Sequence, residues 1–288
     1  MDRYHLEKCI KAIEGFPPLP FSLNKLLCAI SNEAVGAPEV AQIIGMDQSL
    51  TANVLKLINS SYYGYSARIS NISHAVVLLG MDTIKNLAIS LSVINVMTKD
   101  TFNDPGRIFY WEHAIGTAIA ARQLMSDFNK NLAEETFTAG LLHDVGKMVF
   151  LISLDDQYVM LFKEALMDTY DISAFEEEYI GIDHARIGAS LVRRWNFPIE
   201  LQYLIRYHHE PEELKKYAMR NILLQSCVVY VANWISKLHV FEMDLSECKC
   251  HKFHHIKSIL KISDTKIGEV LEFLVPSIDE LRHFFGIR

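Results

Sequence analysis

Residues 133–150 read Ala133-Glu134-Glu135-Thr136-Phe137-Thr138-Ala139-Gly140-Leu141-Leu142-His143-Asp144-Val145-Gly146-Lys147-Met148-Val149-Phe150. Apolar residues recur through this stretch at helical spacing, which predicts one helix from Ala133 to Phe150. The same period runs through Trp111–Phe128 and Ile182–Trp195. Towards the N-terminus the pattern shortens without changing type. Ser49 is placed to cap a helix carrying Leu50, Val54, Leu57 and Ile58, and Asn71 to cap one carrying Ile72, Ala75, Val76 and Leu79 before a stop at Gly80. Asp82 opens a longer helix with Ile84, Leu87, Ala88, Leu91 and Ile94. That half shows no strand-like alternation between hairpin turns, so the class is all-α.

Punctuation divides the chain. In Phe16-Pro17-Pro18-Leu19-Pro20 three prolines fix φ and force an extended approach, so the folded body is expected to begin there. Lys99 to Arg107, with Asn103-Asp104-Pro105-Gly106, reads as a hinge or linker. Division at this point gives an N-terminal helical bundle, residues 1–105, and a second helical subdomain, residues 106–288. Ser173-Ala174-Phe175-Glu176 and Ser277-Ile278-Asp279-Glu280 read as capping boxes, and Pro198 as the first turn of another helix.

Composition narrows the function classes. Of 288 residues, 50% are hydrophobic and 22% charged, which suits a globular chain with ample core. A net charge of −7 argues against a sequence-independent grip on nucleic acid, which works by counterion release to Lys and Arg. Five scattered cysteines (9, 28, 227, 248 and 250) fit reduced thiols in a cytoplasm better than a disulfide framework. Charges run through the first sixteen residues without an apolar core, so no secretory signal is expected. Apolar runs break well before the roughly 20 residues of a membrane span, so no membrane insertion is expected.

Histidine carries the chemistry. His143-Asp144 sits inside Gly140–Lys147, and adjacent residues on a helix lie about 100° apart, close enough to reach one ion at a bundle rim. Imidazole nitrogen with carboxylate oxygen suits Zn²⁺, Mn²⁺ or an Fe ion, and Lys147, one turn on, is placed to meet a phosphate oxygen. His113, His184 and His208 each lie on the apolar side of a separate predicted helix, with His209 beside the last. Any one of them reads most plainly as a core histidine satisfied by a hydrogen bond. Four such sites are harder to account for that way, because several buried imidazoles cost energy unless something bonds or coordinates them.

In this order, His113 … His143-Asp144 … His184 … His208-His209 resembles the HD superfamily of metal-dependent phosphohydrolases, its HD-GYP branch included. From about Phe16 to His209 the chain more specifically resembles the HDOD family, the HD-related output domain of bacterial signalling proteins. The segments that carry this are Phe16–Pro20, Asp47–Ser60, Ile72–Gly80, Gly140–Lys147, Asp183-His184 with Ile187-Gly188-Ala189, Trp195 with Phe197-Pro198, and His208-His209. The resemblance implies an N-terminal helical bundle packed on an HD-like helical domain. It also implies a divalent transition metal (Fe, Mn or Zn) held by His113, His143, Asp144, His184, His208 and His209. HD enzymes end the set with an aspartate on a late helix, where Val231-Ala232-Asn233-Trp234 here offers Asn233, a neutral and weaker ligand. After His208-His209-Glu210 comes Pro211-Glu212-Glu213-Leu214 with no Gly-Tyr-Pro loop, which argues against hydrolysis of the HD-GYP kind. The expectation is a bacterial signalling module acting through contacts with signalling proteins and without turnover. The alternative is an HD-type phosphohydrolase acting on a nucleotide or phosphoester, its ion activating water and Lys147 steadying the phosphate.

Smaller features have plainer readings. Cys248-Lys249-Cys250-His251 with His254 and His255 has zinc-ligand chemistry but no common zinc spacing, and a solvated polar loop is favoured. Arg193-Arg194 reads as a solvated helix face. Tyr62, Tyr63 and Tyr65 are either a contact surface or anchors of their loop, with anchoring preferred.

Overall fold

A computed structural model describes residues 3–30, 35–65, 67–98, 105–154, 157–161, 172–248 and 250–285. Among these residues every regular element is a helix and none is a strand, as the sequence periodicity requires. In chain order the α-helices are α1 (Arg3–Gly15), α2 (Phe21–Ile30), α3 (Ala37–Gly45), α4 (Gln48–Ile58), α5 (Ile72–Leu79), α6 (Met81–Thr98) and α7 (Pro105–Phe128). They continue as α8 (Ala133–Leu142), α9 (Val145–Leu154), α10 (Ser173–Tyr179), α11 (His184–Arg194), α12 (Ile199–Arg206), α13 (Arg220–Val240), α14 (His251–Ile259) and α15 (Asp264–Phe285). The chain forms two compact units, Met1–Pro18 with Leu142–Tyr230, and Leu19–Leu141 with Val231–Arg288.

In the unit built from Leu19–Leu141 and Val231–Arg288, α2 to α6 pack together around Leu23, Leu26, Val40, Ile44, Val54, Leu57, Ile84 and Leu87, all at most 2% exposed. Each such aliphatic side chain contributes roughly 1.5–3 kcal/mol through its removal from water. The long helices α7 and α15 run against one another. Gly140 on α8 lets that helix meet α7 backbone to backbone, since a Cβ there would lie 2.9 Å from Ala118 Cα. Tyr62 and Tyr63 anchor their loop. The Arg122 guanidinium lies 5.3 and 4.9 Å from their ring centroids, and Tyr63 Oη donates to Glu134 Oε2 at 3.2 Å. Tyr65 is exposed.

In the unit built from Met1–Pro18 and Leu142–Tyr230, α1 packs on α9 and α11, and α11 packs on α9, α10 and α12. The folded body therefore begins before the proline run. Cys9, Ile13 and Phe16 are buried, the Phe16 ring meets Trp195 edge-on at 6.1 Å, and Trp195 Nε1 donates to Pro17 O at 3.3 Å. The prolines end α1 and do not open the fold.

Caps move where a better acceptor is near. Asp47, not Ser49, caps α4, its Oδ1 accepting from Leu50 N at 2.9 Å, while Asn71 caps α5 as its sequence predicts. Gly80 ends α5 at φ +86°. The predicted capping box at Ser277 does not form, and before Ser173 the cap position is taken by Ile172. Ser277–Glu280 lies inside α15, which continues through Pro276, and Glu280 accepts from Ser61 Oγ and Tyr62 N instead. Residues 99–104 of the predicted hinge lie outside the described residues, and Pro105 begins α7. One stretch, Lys130–Leu154, is long and apolar enough to cross a membrane, and most of it is buried inside the protein.

Candidate metal centre

The helix predicted over 133–150 is two helices, with His143 and Asp144 in the turn between α8 and α9. Both are residues of low helix propensity, and a carboxylate just before α9 faces the partial positive charge of its N-terminus. Out of the helix, the two side chains no longer diverge: His143 Nε2 lies 3.3 Å from Asp144 Oδ2. Asp144 is 1% exposed, and Lys147 Nζ lies 2.6 Å from its Oδ2.

Asp183 caps α11 by accepting from Arg186 N at 2.7 Å, which makes His184 the first residue of that helix. Gly146 and Gly188 let α9 and α11 cross in backbone contact. A Cβ on Gly146 would fall 2.0 Å from His184 O, so no other residue fits without moving the histidine. His184 Nε2 then lies 3.0 Å from Asp144 Oδ1. His208 and His209 follow α12, with His208 Nε2 at 3.6 Å from Asp144 Oδ1 and 3.3 Å from His184 Nε2, and His209 Nε2 at 2.8 Å from His184 Nε2. One potential ligand atom from each of Asp144, His184, His208 and His209 falls within 4.8 Å of all the others. His143 joins the group edge-on to His208, their ring centroids 4.9 Å apart.

The second ring nitrogens settle what the first can do. His208 Nδ1 lies 2.7 Å from Ile205 O, and a carbonyl only accepts, so Nδ1 carries the hydrogen and Nε2 keeps its lone pair when the ring is neutral. Burial first, and then the neighbouring His209, His143 and His184, hold His208 well below the usual histidine range, so the ring is neutral. His184 Nδ1 lies 2.5 Å from Glu176 Oε2, which also accepts from His184 N at 2.7 Å, while Glu176 Oε1 accepts from Tyr158 Oη at 2.6 Å. Burial opposes charge on His184, but Glu176 and Asp144 outweigh it and raise the group to about 9. Burial likewise opposes ionisation of Asp144, yet the neighbouring His143, Lys147 and His184 hold it well below the usual carboxylate range.

Glu176 escapes the sequence reading, which assigns it to a capping box. Ile172 occupies that cap without a side-chain bond, and Glu176 is fully buried. A signal was present: Ile172, Glu176 and Ile180 fall four apart, so the glutamate lies on the buried stripe between two isoleucines. His113, on α7, and Asn233, on α13, belong to the other unit and are both buried. There Ser236 Oγ donates to His113 O at 2.9 Å, and Asn233 Oδ1 has no hydrogen-bond partner among the described residues. At the cysteine cluster, Cys248 is buried, His254 Nε2 bonds Cys248 O at 2.7 Å, and no set of three potential ligands gathers among the described residues.

Three imidazoles and one carboxylate, with the outer nitrogens of His184 and His208 held by a glutamate and a carbonyl, form a donor set that fits a divalent first-row ion, whose binding would take the proton from His184 Nε2. An all-helical chain with such a buried His–Asp cluster belongs to a narrow class. A family model of the HDOD domain matches residues 16–211. The chain is a member of the HDOD family. It is 30% identical over 208 residues, 70% of this chain, to an uncharacterised protein of Treponema pallidum (strain Nichols), of whose length the match covers 40%. Among solved structures it resembles a candidate phosphohydrolase from Shewanella amazonensis SB2B (25% identity, TM-score 0.69, 98% of this chain and 97% of that one). It also resembles an HDOD domain protein of unknown function from Geobacter sulfurreducens (23% identity, TM-score 0.71, again 98% and 97%).

Proposed function

We propose that this chain is a regulatory HDOD module whose His–Asp cluster holds a divalent transition-metal ion (Fe, Mn or Zn) as a fixed part of the fold, and that it signals through protein contacts without turnover. Asp144, His184, His208 and His209 would hold the ion, with His143 beside them. The observation that carries this reading is closure: His143, Asp144, His184 and His208 are at most 1% exposed. A catalytic ion keeps an open position for water or substrate, whereas a structural one is closed by protein ligands. Such an ion would supply folding energy and a fixed geometry for the turns that carry its ligands.

The ligand-bearing turns lie at the ends of α9, α11 and α12, so metal content governs how these helices meet and which surface the module offers a signalling protein. Nucleic acid is not expected among its partners, given the acidic net charge of −7. The alternative, a phosphohydrolase of the HD type, is favoured by one observation: His209, the fourth member of the cluster, is partly exposed and leaves one side open to approach. The two readings separate in an assay of metal-loaded protein against aryl phosphodiesters and nucleotides. No turnover above the metal-only blank is expected. Turnover that disappears in Asp144→Asn would establish the enzyme instead.

A further inference from the structure

A cation of the chain already neutralises the carboxylate at the heart of this cluster. Lys147 stands three residues after Asp144 on the first turn of α9, so the pair forms whenever that turn forms. Its Nζ lies 2.6 Å from Asp144 Oδ2, and its side chain is 11% exposed against 1% for Asp144. A lysine so nearly buried is tolerated because its charge is paired there. The imidazoles approach the other oxygen, His184 Nε2 at 3.0 Å and His208 Nε2 at 3.6 Å from Oδ1. A divalent ion held by Asp144 and these rings would therefore share one carboxylate with an ammonium group. Two like charges that close repel, and the lysine, on a stem of four rotatable bonds with a side chain 11% exposed, is the one able to leave.

We propose that Lys147 is the resident counter-ion of the centre, and that a divalent transition-metal ion loads by displacing its ammonium from Asp144. The inference rests on the metal-centre reading above. The centre then has two closed states, lysine-filled and metal-filled, and the protein folds in both. Lys147 is the element that reports which state is present, because its ammonium is on Asp144 in one and released towards solvent in the other.

The test uses the full chain stripped of metal by chelation, titrated with Mn²⁺ and with Zn²⁺ by calorimetry, and melted in chelator. Lys147→Met keeps most of the buried stem and removes the charge, while Lys147→Arg keeps the charge. The expected result is that Lys147→Met binds metal at least tenfold more tightly than wild type and melts at a lower temperature without metal, with Lys147→Arg binding no more tightly than wild type. A Lys147→Met protein that folds only with metal present supports the proposal in the same sense. If it folds in neither state, Lys147→Gln takes its place under the same criteria. Metal binding by wild type with no gain on removing the charge overturns the displacement and leaves the metal centre standing. Binding by none of the proteins overturns both.

Discussion

Two polar knots stand one in each compact unit, and they are built on opposite logic. Around Arg122 the charges balance one to one: Nε donates to Glu134 Oε1 at 2.6 Å, Tyr63 Oη donates to Glu134 Oε2, and the guanidinium lies against two tyrosine faces. Around Asp144 a single carboxylate is approached by three imidazoles and an ammonium group. The first knot is balanced in charge, and its product is a pinned loop. The second gathers more nitrogen than one carboxylate can use, which is the composition of a ligand set. A matched cluster marks structure; a surplus of one donor type in one small volume marks a site.

The comparison breaks most visibly at Glu134. Glu134→Ala leaves Arg122, its side chain 28% exposed, without its carboxylate and frees Tyr63 Oη, at an expected cost of about 3 kcal/mol. Denaturant unfolding should show that loss while metal content stays at the wild-type value. Glu176→Ala acts the other way. It releases His184 from its orienting partner, and second-layer partners of this kind are worth roughly 10- to 100-fold in metal affinity. A metal titration that finds the Glu176→Ala affinity unchanged would remove Glu176 from the centre. The smallest effect concerns Tyr62, whose phenol is pushed up to about 12 by burial, against the opposing pull of Arg122. A phenol that ionises near 10 unfolded and near 12 folded contributes stability that is complete below pH 10 and is lost as pH rises through 12. Tyr62→Phe should therefore gain on wild type in melting temperature between pH 10 and 11.5, and show no such trend between pH 7 and 9.

Much of this was legible in the sequence, for physical reasons. Helical period and the cap at Asn71 depend on neighbours three and four residues away, so they can be read locally. The histidines were legible as chemistry because imidazole on an apolar stripe is expensive to leave without a partner. What local pattern cannot carry is the break at His143-Asp144. Apolar spacing runs straight through it, yet α8 stops at Leu142. The same holds for Glu176, which looked like a cap from its neighbours and became an orienting group through Tyr158 and His184, 18 and 8 residues away. Gly146 was quoted for its motif alone, and the 2.0 Å clash that explains it exists only once α11 is in place.

The most direct test of the account is the metal content of the freshly purified protein by inductively coupled plasma mass spectrometry, beside His184→Ala. One equivalent of iron, manganese or zinc in the wild type, reduced to background in a folded His184→Ala, is the predicted result. Equal metal in both proteins, or none in either even after incubation with manganese and iron, would contradict the claim that the cluster around Asp144 is a metal centre.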